Sequence, residues 1–207
     1  ERLHSVFQPI FATHALETPF AHECLIRASD EQGNTITPDR LFGAAQSADL
    51  IFQLDRAARA ANVRNAHNAG LGSNLFINFT PSSIYDPASC LRSTIEVVND
   101  CGLNRNDIVF EVIETEKVTS VDHLGAILKS YRDSGFRVAL DEVGSGYSTL
   151  NMLPQLRPDI IKIDRELIDH VDQDRYKQAI VGNLTALARD LDIEVVAEGI
   201  ERREELD

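Results

Sequence analysis

With 207 residues, 43% of them hydrophobic and 26% charged, the chain is long enough to bury one substantial core and has the composition of a soluble globular domain. No apolar run approaches membrane-spanning length and the first residues carry no signal-peptide pattern, so a membrane-inserted domain is not expected. The net charge of −13, with no cluster of Lys and Arg, argues against a nucleic-acid polymer as partner; a phosphate ester would have to be recruited by a carboxylate-bound divalent cation.

Cys24, Cys90 and Cys101 are odd in number and lack metal-binding spacing, which predicts reduced thiols in a cytoplasmic protein. In chain order, β-rich runs at 5–11, 21–27, 75–79, 108–113, 136–141, 160–163 and 193–197 predict strands. Amphipathic stretches at 38–48, 51–69, 86–100, 120–134 and 175–190 predict the helices between them, with a short turn at 148–153. Thr37-Pro38 reads as an N-cap with proline at the first helical position, and Gly102 and Gly135 fall where left-handed caps close helices. The chain opens at Glu1 beside a strand and stops within a helix start at 201–207. This predicts one domain cut from a longer protein, lacking an eighth strand and its helix.

Strand–helix alternation without a composition break predicts a single parallel α/β domain, either an open doubly wound sheet or a (β/α) barrel. The placement of polar residues separates the two. A doubly wound sheet gathers chemistry at one switch point, whereas a barrel collects it from the C-terminal ends of many strands. Here Glu23 and Arg27 lie on the second strand, Asn78 near the end of the third, and Glu111 and Glu114 at the end of the fourth. Asp141 ends the fifth strand, Lys162 sits in the sixth and Glu198 follows the seventh. That distribution favours the barrel.

Strand periodicity puts Glu23, Leu25 and Arg27 on one face, where a carboxylate and a guanidinium suit a metal ion and a phosphate; an internal ion pair is an equal reading of that segment alone. Glu111 and Glu114 stand three apart as a strand becomes a loop, a pattern that solvated acids also produce. Asp141-Glu142 before Gly144-Ser145-Gly146 is more specific, because adjacent acids ahead of a tight loop can bridge two cations. Lys162 and Asp164 alternate with Ile161 and Ile163, and a lysine inside a buried strand has a partner or a function. Hard oxygen ligands with no histidine cluster suit Mg²⁺ or Mn²⁺ and not zinc.

From Phe7-Gln8-Pro9-Ile10 through Glu198-Gly199-Ile200-Glu201 the chain resembles the EAL phosphodiesterase family. Glu23-Cys24-Leu25 occupies the signature tripeptide, and Ile77-Asn78-Phe79-Thr80 is similar to the asparagine motif. Glu111 to Glu114 resembles the E-x-T-E motif, Asp141 to Ser148 the DDFGxGYS loop, Ile161 to Arg165 the KIDR segment and Val196 to Glu201 the VAEGVE segment. The resemblance implies a TIM-like (β/α)₈ barrel with its first strand antiparallel. It also implies hydrolysis of cyclic-di-GMP to linear pGpG in bacterial second-messenger signalling.

On that resemblance Glu23, Asn78, Glu111 and Asp141 hold a first Mg²⁺ or Mn²⁺, and Asp141, Glu142 and Glu198 serve a second, with Ca²⁺ inhibitory. Lys162, Glu142 and Glu198 are the catalytic set, with Lys162 orienting the attacking water. Gln8, Arg27 and Asp164 meet substrate, and Glu114 braces the loop of Gly144 to Ser148. A homodimer in the cytoplasm, as a module of a larger and membrane-bound or soluble protein, is implied as well.

Three departures stand out: Glu142 for the second aspartate, Cys24 for the alanine of the name, and Val143 for the aromatic of the loop motif. Cys24 alternates away from Glu23, so it is expected to be harmless. The extra methylene of Glu142 is not, since two-metal geometry tolerates little displacement. The competing reading is a silent EAL domain that serves as a cyclic-di-GMP receptor or a regulatory interaction module.

Overall fold

The computed structural model describes residues 2–81, 84, 87–113, 120–144 and 149–206. One sheet contains β1 (Leu3–Ile10), β2 (Ala21–Ser29), β3 (Thr35–Ile36), β4 (Asn74–Asn78), β5 (Ile108–Ile113), β6 (Arg137–Val143), β7 (Ile160–Ile163) and β8 (Glu194–Ala197). Its order is β1-β2-β4-β5-β6-β7-β8, with β3 paired to β2 off this path. β1 runs antiparallel to β2 in unbroken register from Leu3↔Ala28 to Ile10↔Ala21, and from β2 onward every neighbour on the path is parallel.

The connections are helical: α1 (Pro38–Ser47), α2 (Ile51–Asn68), α3 (Pro87–Asp100), α4 (Val121–Asp133), α5 (Thr149–Leu156), α6 (Arg165–Ile168) and α7 (Arg175–Asp190), with α8 (Arg203–Leu206) after β8. The result is a curled, mostly parallel half-barrel. Among the described residues no pairing joins β8 to β1. No helix among them is long and apolar enough to cross a membrane.

All seven predicted strands are present, and Gly102 (φ +66°) and Gly135 (φ +90°) follow α3 and α4 in the expected left-handed conformation. Thr37 occupies the N-cap position before Pro38 but makes no side-chain cap hydrogen bond. The short turn predicted at 148–153 is a helix reaching Leu156. Pro154 lies inside it. β3 and α6 were not predicted, because two and four residues are too short for either hydrophobic period to register.

Strand alternation builds two layers on the concave face. The lower is an apolar plug of Ala21, Phe76, Val109, Ala139 and Ile160 packed with Ile10 and Val196, one residue from each strand of the path. Two residues further along each parallel strand come Glu23, Asn78, Glu111, Asp141, Lys162 and Glu198. Because β1 runs the other way, its member of this upper layer precedes the plug residue, and Gln8 lies in register with Glu23. The convex face packs against the helices in the main core, where Phe110, Tyr131, Phe79 and Phe136 stack edge-to-face or tilted. Period-two alternation thus puts the apolar plug below, the polar ring above it, and the helices behind.

Candidate active site

The upper layer converges on one ammonium. Lys162 Nζ lies 2.9 Å from Glu198 Oε1, 3.0 Å from Glu111 Oε1, 3.2 Å from Asp141 Oδ1 and 3.4 Å from Glu23 Oε2. Asn78 closes the near side, its Nδ2 donating to Glu111 Oε2 (3.1 Å) and Glu23 Oε1 (3.3 Å). Five different strands and the residue after a sixth-strand edge therefore meet at one point, which only a curled sheet permits. Glu111 and Lys162 are fully buried, Asp141 nearly so, and the Glu198 side chain is about a quarter exposed at the open side.

Burial pulls the Lys162 pKa down, but Glu111, Asp141, Glu23 and Glu198 push it up and prevail, so the ammonium stays charged. Burial, with the charges of Glu23 and Asp141 adding to it, raises Glu111 well above the carboxylate range against the opposing pull of Lys162. Glu198 is raised for the same reasons, burial first. Four acids share one cation, and the excess negative potential is what a divalent ion would relieve.

The residues present fit such an ion. Glu111 Oε1 is fully buried and makes no well-directed hydrogen bond, only its ion-pair contact to Lys162. The remaining donors are carboxylates and one amide, the hard oxygen set of Mg²⁺, Mn²⁺ or Ca²⁺. Asn78 would contribute Oδ1, which a half-turn of its amide exchanges with the Nδ2 now facing the acids.

The other predicted residues are placed less uniformly. Gln8 is exposed at the rim beside Glu23. Arg27 extends along the Glu23 face of β2 and turns its Nη1 back to the carbonyl of Ile26 at 2.8 Å. Asp164 is an N-cap: its Oδ1 accepts from the amide of Glu166 at 2.6 Å, holding the start of α6. Glu142 stands where the β6–β7 register shifts, with φ +54°, and its amide donates to Asp141 Oδ1 at 2.9 Å. It is not one of the four acids around Lys162, because the bulge turns the chain between Asp141 and Val143. A left-handed glutamate is uncommon; Asp and Asn are several-fold enriched there. Glu114 and the loop 145–148 lie outside the described residues.

Of the departures, Cys24 faces the helix-side core as alternation predicts, its thiol pushed up to about 12 by burial and then by Glu111 and Glu23. Val143 is buried in the same core. Sequence reasoning missed the buried polar face of α2, formed by Asp55, Arg59 and Asn62. The signal was an i, i+4, i+7 spacing of polar groups on a helix otherwise rich in alanine.

A half-barrel with an antiparallel first strand and an acid ring at its mouth defines a narrow class. The chain belongs to the EAL domain family: the model described as EAL domain matches residues 1–207. Among curated relatives it is 34% identical over 193 residues to the probable cyclic di-GMP phosphodiesterase PdeG of Escherichia coli K12, covering 89% of this chain and 37% of PdeG. It is 26% identical to the blue light- and temperature-regulated antirepressor BluF of the same organism, covering 94% of this chain and 49% of BluF. The chain thus spans less than half the length of either. Among solved structures, Klebsiella pneumoniae BlrP1 in complex with manganese and cyclic di-GMP superposes with a TM-score of 0.88 at 32% identity, over 99% of this chain and 51% of that one. BlrP1 has also been solved with calcium and cyclic di-GMP.

Proposed function

We propose that this domain hydrolyses one phosphodiester of cyclic-di-GMP, giving linear pGpG, with Mg²⁺ or Mn²⁺ as cofactor. The observation that carries the reading is the convergence of Glu23, Glu111, Asp141 and Glu198 on Lys162, with Asn78 between two of them. Divalent cations held there supply positive charge for the phosphate and acidify water at neutral pH. Glu23, Asn78, Glu111 and Asp141 would hold the first, and Asp141, Glu142 and Glu198 a second. Lys162 orients the attacking water and, staying protonated, offsets the negative charge that builds on the phosphoryl and leaving ribose oxygens as the bond between phosphorus and the latter breaks. Gln8 and Arg27 at the rim hold substrate; Asp164 acts through its cap on α6.

Turnover tests the reading. The chain incubated with cyclic-di-GMP and Mg²⁺ or Mn²⁺ should release pGpG; chelation should abolish the reaction, Ca²⁺ should inhibit it, and Glu111→Gln should be inactive. No product from the unaltered chain with either Mg²⁺ or Mn²⁺ overturns it.

A second reading, a cyclic-di-GMP receptor or regulatory module, is favoured by the left-handed Glu142 in the second cation's ligand set and by the likeness to an antirepressor. Calorimetric binding of cyclic-di-GMP in Ca²⁺, followed by exchange into Mg²⁺, separates the two: binding without product selects the receptor. A homodimer, a cytoplasmic setting and a place in a longer signalling protein belong to the same proposal and rest on the family and on the greater length of the relatives. Light scattering tests the first.

A further inference from the structure

α2 presents a polar stripe to the core: Asp55, Arg59 and Asn62, 2%, 0% and 3% exposed, repeat at the spacing that puts residues on one helix face. An apolar stripe would pack this helix at least as stably, since a buried ion pair seldom recovers its desolvation cost. What the polar stripe adds is direction, and its hydrogen bonds show where it is aimed.

Asp55 Oδ1 accepts from the backbone amide of Thr80 at 2.8 Å, two residues beyond Asn78. Its other oxygen accepts from Arg59 Nε at 2.9 Å, and Arg59 Nη1 donates to Thr94 Oγ1 of α3 at 3.1 Å, so the carboxylate is fixed from both sides. Asn62 Nδ2 donates to the carbonyl of Cys24 at 3.1 Å, the residue after Glu23. The β2–β4 ladder ends at Cys24↔Ile77, and Asn62 caps that end. The amide oxygen of Asn62 is held in turn by Ser5 Oγ of β1 at 2.7 Å, and Ser5 accepts from Asn65 Nδ2 at 3.0 Å. One helix thus grips the chain beside Glu23 and just past Asn78, from behind the sheet.

We infer that Asp55 and Asn62 are positioning residues for the Glu23–Asn78 side of the cation site, with Arg59 and Thr94 holding Asp55 in place. They touch neither cation nor substrate; they act by fixing the backbone on which two ligands stand. The inference rests on the proposed reading of Glu23 and Asn78 as metal ligands.

The test is calorimetric titration of Mn²⁺ into the full chain and three variants, at a temperature where circular dichroism shows all four folded. Asp55→Asn keeps the volume and an acceptor for Thr80 but sets an amide N–H against Arg59. Asn62→Leu removes both of its hydrogen bonds, to Cys24 and Ser5, without stranding a charge, so it carries the test should Asp55→Asn not fold. Ile127→Val removes a methylene from the buried face of α4, away from both ligands, and reports what loss of core packing alone does. Mn²⁺ affinity should fall roughly tenfold in Asp55→Asn and in Asn62→Leu and stay unchanged in Ile127→Val. Unchanged affinity in either of the first two overturns the role of that residue, and an equal fall in Ile127→Val overturns both. Absence of Mn²⁺ binding by the unaltered chain would instead overturn the proposed function beneath this inference.

Discussion

The two sides of the acid ring are built by different means. Glu23, Asn78 and Glu111 stand on β2, β4 and β5, whose register runs without interruption through Cys24↔Ile77 and Asn78↔Glu111. Asp141 is shared, held in the β5–β6 register opposite Ile113 yet next to the shift against β7. Glu142 and Glu198 come from the opposite kind of backbone. β6 bulges beside Asp141, Glu142 is left-handed, and Glu198 lies past the end of an edge strand, before a left-handed Gly199 at φ +69°. Hydrogen-bond ladders place the first set; the left-handed turns at Glu142 and Gly199 shape the second, where one last bond, from the Glu198 amide to the Ile163 carbonyl at 3.1 Å, ends the ladder. Substitutions on the first side should therefore act mainly by removing groups, and on the second also by moving backbone.

Lys162 belongs to both sides, and its loss should have the largest effect. In Lys162→Met four acids face one another unneutralised in a buried site, and turnover should vanish. The metal-free protein should lose about 3–5 kcal/mol in urea denaturation with chelator present. Stability equal to that of the unaltered chain would mean that the four contacts carry no weight.

Gly199→Ala comes next. A Cβ there would lie 2.4 Å from Arg165 Cγ on a backbone that L side chains rarely adopt. The expected cost is about 1–3 kcal/mol, with turnover down by about 10- to 100-fold as Glu198 is displaced. Gly182→Ala, in helix α7 with nothing within 4 Å, is the contrast and should stabilise by about 0.5–1 kcal/mol without touching turnover. Matching effects of the two substitutions would erase the proposed difference between regions.

Glu142→Asp suits the left-handed position better and shortens the side chain toward the second cation's ligands. Melting curves should show a gain of roughly 0.5 kcal/mol, with faster cyclic-di-GMP turnover. A slower enzyme would mean that glutamate's reach is needed where it stands.

The smallest effect concerns the segment that follows Glu198. Glu205 accepts backbone hydrogen bonds from His170, Glu201 and Arg202, and these lower its pKa from 4.5 to about 2. A depressed carboxylate contributes stability above its unfolded pKa that is lost as pH falls through the folded one. The difference in stability between the unaltered chain and Glu205→Gln should therefore shrink between pH 4.5 and pH 2. A difference constant across that window would deny those hydrogen bonds their role.

How legible each region was follows from the same distinction. Glu23, Asn78, Glu111 and Lys162 could be read from the sequence because period-two alternation places them two residues beyond plug residues on their strands, and a charged or amide group there is conspicuous. The left-handed backbone at Glu142 could not, because glutamate is no marker of that conformation as glycine or asparagine would be. The N-cap role of Asp164 was not legible either, because the four-residue helix it starts is too short to show a hydrophobic period. The stripe on α2 escaped because amphipathic patterning assigns charged residues to the solvent face; only the structure shows Asp55 and Arg59 turned inward as a buried ion pair.

The central claim is that the side built on regular strands is a cation site. Anomalous diffraction from crystals grown with Mn²⁺ and cyclic-di-GMP tests it most directly. A manganese peak within about 2.0–2.6 Å of oxygens from Glu23, Asn78, Glu111 and Asp141 is the expected result. Bound dinucleotide with Lys162 still among the four carboxylates and no manganese peak at the ring would contradict it.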